Sequence, residues 1–408
     1  MAAGIAARAN EDGRWWSSAM VYTALGLMAA AAISLLDIRW LGAERDIAVL
    51  EHVAEAAVVV TLYATGLQID RELRLVSWRT VVLLLGVVMP LTIGVITLLG
   101  MGLLGLSLGA AVVLGAALAP TDPVLAGDVG VGPPGSAEPE ARFSLTAEAS
   151  FNDGLAFPFL LAGLAIAADG GSGWIGSWLL VDVVYKIVVG VAVGAVMGHY
   201  AARLALPLRS RARLGADLDG WLAVAVALAV YGAAQTVSSY GFLAAICAGL
   251  AFRRYERDHE HHLEMHAGAK RIVQLLELGT IVLVMSMLTL TGLQVPGWSG
   301  WLLALLLVFV VRPFAALPVL RTRCLSTREE RGFVAFFGVR GLGSIYYVGA
   351  ALGTGILAPD EARTVLWTAL AAVLVSILVH GVSANAGIRA LEHQESLEPP
   401  RAPEPAPV

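Results

Sequence analysis

Apolar runs of roughly twenty residues recur along the whole chain, separated by short polar stretches rich in arginine, proline and glycine. Such a run is the length an α-helix needs to cross the ~30 Å hydrocarbon core of a bilayer. The runs near 18–36, 46–69, 78–105, 109–131, 141–168, 173–202, 217–237, 240–253, 270–292, 299–320, 331–357 and 362–389 predict about twelve transmembrane helices, the eighth of them short. The expected fold class is therefore an all-α polytopic membrane protein. Composition agrees: 58% of the 408 residues are hydrophobic, 14% are charged and the mean hydropathy is +0.75, outside the range of soluble globular domains.

The ends of the chain read differently from its middle. Residues 1–17 are polar and mixed in charge, and are expected on the cytoplasmic side. The first run contains "MAAAAIS", which mimics a signal-peptide cleavage site, but it is long enough to span and many similar runs follow. Residues 18–391 are expected to form one transmembrane domain with dimerisation and core subdomains interleaved, and the Pro- and Glu-rich segment 392–408 a disordered cytoplasmic tail. Cys247 lies in an apolar stretch and Cys324 in a basic loop, so no disulfide framework is expected.

Charge sets the orientation. Summed by loop, the basic residues divide 21 to 3 between the two sides of the predicted spans, which by the positive-inside rule puts both termini in the cytoplasm. Lys186, Arg312 and Arg340 fall within spans instead.

Two spans are predicted to break. In the fourth, "GAALAPTDPVLAGDVG" sets Pro120 and Pro123 around Thr121 and Asp122, and proline both deletes a backbone donor and clashes with the preceding turn. In the eleventh, "FFGVRGLGSIYYVGA" places Gly338, Gly341 and Gly343 around Arg340 and Ser344. The two lie an odd number of spans apart and so run in opposite directions, the layout of inverted repeats whose broken helices cross near the midplane. At similar depth lie Asp122, Glu148 and Asp153 with Arg312 and Arg340, and opposite charges at that depth should pair. Glu148 and Asp153 are about 140° apart around a helix, so one can be held by an arginine while the other faces a cavity. A carboxylate that takes either a proton or a metal cation is neutral with each, and competition between the two enforces exchange. The arginines are accordingly expected on Glu148 or on helix carbonyls, leaving Asp153 to titrate.

These residues resemble a known family. "LAPTDPVLAGDV" (118–129), the Asn152-Asp153 pair with Glu148 five residues before the aspartate, "VVRPF" around Arg312 and "FGVRGLGSIYYVGAAL" (337–352) are similar to the cation:proton antiporter-1 family, NhaP-like bacterial branch. The resemblance implies the NhaA-like inverted-repeat fold with two crossing broken helices, alternating access, a homodimer in the bacterial inner membrane, and electroneutral exchange of Na+ or Li+ for H+. By the same likeness Asp153 is the shared proton/cation acid, with Asn152 beside it. Thr121 and Asp122 complete a Na+ site with Asp153, Glu148 pairs with Arg312, and Arg340 steadies the crossing. No cofactor, enzymatic activity or nucleic-acid partner is implied. The sequence departs from the family at Ala149: members often carry serine directly after the glutamate, and here Ser150 follows one position late. This bears on Na+ against K+, and a K+/H+ antiporter stands beside a cation channel or ion sensor as the alternatives.

Other polar groups have plainer readings. Asp182 and Lys186 are spaced to neutralise each other on one helix, and Gly190, Gly194 and Gly198 form a stripe for close helix packing. Glu51, His52 and Glu55 read as lining a dimer interface or vestibule, or, for one or two of them, as sitting at the membrane surface. His259, His261, His262 and His266 read as a solvated loop, with pH sensing as the minority view.

Overall fold

The computed structural model describes residues 17–122, 130–132, 139–169, 171–211, 217–257, 264–321, 325 and 327–397. Pro123, Cys324, His259, His261 and His262 lie outside these residues, as do the two chain ends and the side chain of His266. Among the described residues every regular element is helical.

In chain order the helices are α1 (Ser18–Leu35), α2 (Ile47–Gln68), α3 (Arg79–Leu104), α4 (Leu108–Leu118), α5 (Glu140–Leu155), α6 (Phe157–Asp169), α7 (175–211), α8 (Asp217–Thr236), α9 (Gly241–Arg257), α10 (Glu264–Ser286), α11 (Gly297–Ala316), α12 (Arg328–Phe336), α13 (Leu342–Gly353) and α14 (Pro359–Leu397). Seven of the described helical segments are long and apolar enough to cross a membrane, and shorter apolar helices include α4 and α13. Local chemistry fixes several ends. The Ser17 hydroxyl accepts the Met20 N–H at the start of α1, Gly105 closes α3 in the left-handed region at φ 67°, and Thr327 with Glu330 forms a capping box on α12.

Polar ends of the apolar runs extend the helices past the predicted boundaries. The eighth run reaches Arg257 instead of stopping near 253, because Arg253 pairs there with Asp70 and Glu256. The expected disordered tail is corrected at its near end: α14 continues through residues 392–397. That stretch contains no proline or glycine, the residues least favourable inside a helix.

The helices pack in two groups. In one, α7 lies along α9, α9 along α2, and α10 against α1, α2 and α8. Gly194 and Gly198 make the first contact possible, since a Cβ on them would stand 2.3 Å from the Ala244 carbonyl oxygen and 2.2 Å from that of Ala248. Asp182 and Lys186 pair at 2.6 Å on α7. In the other group α4 packs on α3 and α6, and α14 on α4, α11 and α13. The α2–α13 contact joins the groups. Only 11% of the apolar stretch of α7 is buried, leaving Leu180, Val188 and Leu204 outward as an apolar surface of the kind a bilayer covers.

One local device occurs twice. In α3 a π-helical turn, Leu84–Val88, precedes Met89-Pro90, and in α11 a π-helical turn, Leu307–Val311, precedes Arg312-Pro313. Each proline lacks the N–H that the preceding turn would need, which favours a local change of pitch. Each such helix is followed in the chain by a helix that breaks: α4 stops before Pro120, and α12 is separated from α13 by residues 337–341. The recurrence is the repeat relation at the level of backbone geometry.

Candidate functional site

The two breaks meet. The Asp122 N–H donates to the Val339 carbonyl at 2.7 Å, and the Leu342 N–H donates to Asp122 Oδ2 at 2.9 Å. A helix leaves unpaired N–H groups at its start and unpaired carbonyls at its end, with matching partial charges. Asp122 thus places negative charge at the start of α13. Arg340 does the reverse: its Nε donates to the Leu118 carbonyl at the end of α4 at 2.9 Å, and its Nη1 donates to the Gly338 carbonyl. Its own N–H donates to Ser376 Oγ on α14 at 2.8 Å, and His380, one turn on, bridges Ser376 to the Phe336 carbonyl that ends α12. Arg340 is fully buried, and what holds it at this depth is the set of carbonyls that the breaks expose.

Glu148 and Arg312 face each other through both prongs, Oε1 to Nη1 at 2.5 Å and Oε2 to Nη2 at 2.6 Å. Both are buried to 1% exposure, so α5 and α11 are tied by a two-point, charge-assisted contact.

Asp153, five residues along α5, is 3% exposed and has no such partner: among the described residues no cationic side chain pairs with it. It lies close enough to Asp122 for the two charges to interact. A Cβ on Gly343 would stand 2.5 Å from its Oδ1, so α13 brings bare backbone against the carboxylate. The Tyr347 hydroxyl donates to the Asp153 carbonyl oxygen. Asn152 Nδ2 donates to Thr121 Oγ1 at 2.9 Å, joining α5 to the first break, while Asn152 Oδ1 and the Ser344 hydroxyl are buried without a hydrogen-bond partner. Ser150 is occupied: its hydroxyl donates to the Thr146 carbonyl one turn back at 2.7 Å. Ala149 beside it carries no hydroxyl.

A cavity of about 300 Å³ between α6, α8, α9 and α13 is lined in part by Phe157, Tyr231, Phe242 and Tyr346. Phe157 packs on Tyr346 and Tyr347, and Tyr347 touches Asp153, so an aromatic cluster separates this cavity from the acid. Glu55 accepts the Tyr231 hydroxyl near that cavity, and Glu51 lies against Gly349 on α13. Those two acids therefore face neighbouring helices of this chain. Among the described residues no group of three acidic, histidine or cysteine side chains could hold a metal ion.

The sequence profile of the family described as the transmembrane sodium/hydrogen exchanger matches residues 18–386, which include both breaks and both buried arginines. The chain belongs to the sodium/hydrogen exchanger family. Among its relatives, a probable Na+/H+ antiporter of Schizosaccharomyces pombe is 26% identical over 394 residues, covering 90% of this chain and 51% of the relative. The Na+/H+ antiporter 2 of Zygosaccharomyces rouxii is 27% identical over 313 residues, 72% of this chain and 38% of the relative. This exchanger-family chain thus spans about half or less of the curated relatives it matches. In fold it is similar to the sodium proton antiporter NhaP1 of Methanocaldococcus jannaschii, with a TM-score of 0.74, 18% identity and 92% of each chain covered.

Sequence reasoning brought Asp122, Thr121, Asn152, Glu148, Arg312 and Arg340 toward one place, and the geometry sets all of them around the crossing. It missed Gly343 and Tyr347 as neighbours of Asp153, Ser376 and His380 beside Arg340, and Glu277 on α10. The last three are polar residues within apolar runs, the same signal that singled out Glu148 and Asp153.

Proposed function

We propose that this chain is a secondary antiporter that exchanges cytoplasmic Na+ or Li+ for external H+, with Asp153 as the group the two ions share. The observation that carries the reading is a buried carboxylate with no cationic partner, one and a half turns from a carboxylate that has one. Hydrocarbon depth disfavours the bare anion, whereas a proton or a sodium ion neutralises it equally. Asn152 adds no second charge, which supports one-for-one, electroneutral exchange. Thr121, Asp122 and the unpaired Asn152 Oδ1 are the further oxygens within the same crossing. Alternating access, a homodimer in the bacterial inner membrane and cytoplasmic termini belong to the same reading, the last supported by the 21-to-3 split of basic residues. Ala149, where members of the family often carry serine, makes K+ the competing ion to test.

Everted membrane vesicles carrying a pH-sensitive dye test this. Addition of Na+ or Li+ should dissipate an imposed proton gradient, and Asp153→Asn should abolish the response. Full exchange by the variant would refute the role of Asp153. Cation current that needs no protons on the opposite side would point to a channel, and a response to K+ alone to a K+/H+ antiporter.

A further inference from the structure

Glu277 lies midway along α10, 3% exposed, in a group of helices that contains neither break. The Thr61 hydroxyl of α2 donates to its Oε1 at 2.6 Å, and its Oε2 is buried with no hydrogen-bond partner. An acid in that setting meets the same cost as Asp153: among the described residues no arginine or lysine pairs with it, and a proton or a cation would neutralise it.

The surroundings of Glu277 can be followed helix by helix. Asp122 lies close enough for the two charges to interact. Helix α1 contributes no acid or base beyond Tyr22, and α13 contributes only Tyr346 and Tyr347. On α2, Tyr63 stands about 3 Å along the axis from Thr61, and Glu55, His52 and Glu51 about 9, 14 and 15 Å. On α8, Tyr231 donates to Glu55, and Asp217 and Asp219 belong to the first turn. On α10 itself, Lys270 and Arg271 lie about 9 to 11 Å back toward its start. Among the described residues Asp122 is the charged side chain whose field acts on Glu277, and it is negative. Among the described residues no three acidic, histidine or cysteine side chains group as metal ligands, so Glu277 is taken as a site separate from Asp153.

We propose that Glu277 is a second station for the transported ion, a carboxylate on the wall beside the crossing that takes a proton or a monovalent cation in its own right and passes it to or from the Asp122–Asp153 site. This rests on the reading of Asp153 as the exchange acid. Na+ arriving at Glu277 displaces its proton, and a proton returns to Glu277 when the ion passes on and displaces the one at Asp153, so the overall exchange stays one for one while two titrating groups, not one, set how steeply the Na+ requirement depends on pH.

The test uses full-length protein in proteoliposomes with an internal pH dye, measuring the apparent KM for Na+ from pH 6 to 9. Glu277→Gln, which keeps the shape and cannot titrate, should raise KM at alkaline pH by about tenfold, as expected for one lost carboxylate–cation interaction. It should also flatten the dependence of log KM on pH toward that of a single group. Thr61→Val, which removes the hydroxyl and keeps the packing, should shift the same profile along the pH axis. If both variants keep the wild-type KM and slope and lose only thermal stability, Glu277 is a packing residue and the proposal fails. Failure of the Asp153 reading is seen separately, as exchange that survives Asp153→Asn.

Discussion

Glu148 and Asp153 stand about 1.4 turns apart on α5, at 1% and 3% exposure, yet their surroundings are opposite. Glu148 grips Arg312 through both oxygens, whereas Asp153 meets bare glycine backbone and another acid. Arg340 belongs with the first: its charge is spent on carbonyls at the ends of α4 and of the Phe336–Gly338 turn. Glu277 belongs with the second, with one hydroxyl for a partner and one oxygen left over. Burial alone therefore does not mark a functional acid in this protein. On the proposed reading the mark is burial without compensation, because a compensated charge is fixed in place while an uncompensated one is neutralised by a proton or a cation.

The largest effect that divides the two classes should fall on stability. Arg312→Met leaves Glu148 buried without its partner, and breaking a buried ion pair from one side costs about 3–5 kcal/mol. Paired with Glu148→Met, the loss should be largely recovered, as a thermal-unfolding series on the wild type, both single variants and the double variant in detergent would show. Near-additive losses would mean that the pair does not act as a unit.

Next in size is a change confined to the other class. Gly343→Ala puts a Cβ where only 2.5 Å separates it from Asp153 Oδ1, so the carboxylate must turn or α13 must shift. The expected result is about a tenfold rise in the apparent KM for Na+, with thermal stability changing far less than in Arg312→Met. Unchanged KM would show that Asp153 has room to reorient and that close backbone approach is not part of its site.

What the sequence made legible follows from the range of the interactions involved. Apolar run length is local, so the positions of α1, α2 and α3 were readable to within a residue or two. The break at Pro120 is equally local, since proline acts on its own turn. The pairing of Glu148 with Arg312 joins residues 164 apart, and it was reached only through depth and the need for charge balance. The capping role of Asp122 was not readable: Leu342 lies 220 residues away, and the acid looked only like a ligand. Ser150 and Glu277 show two further limits. A hydroxyl's partner within its own helix depends on its rotamer, and an acid inside an apolar run can be absorbed by the hydropathy average around it.

The smallest expected effect supplies the solvated counterpart of the buried pair. Glu44, between α1 and α2, accepts from Arg363 Nε at 2.8 Å and from Trp367 Nε1 at 2.6 Å near the start of α14, with side chains of the ion pair 45% and 49% exposed. The hydrogen bond from Arg363 holds the Glu44 carboxyl below its ordinary value of 4.5, against a smaller opposing effect of burial. A carboxyl lowered by folding stabilises the folded state above its unfolded value, and that contribution is lost as pH falls below 4.5 through the folded value. Because water screens so open a pair, Arg363→Ala should cost only about 0.2–1 kcal/mol at neutral pH and less in high salt. The difference between variant and wild type should shrink further on acidification. A loss as large as that of Arg312→Met, or one that salt leaves untouched, would show that solvent exposure is not what separates the two arginine–glutamate pairs.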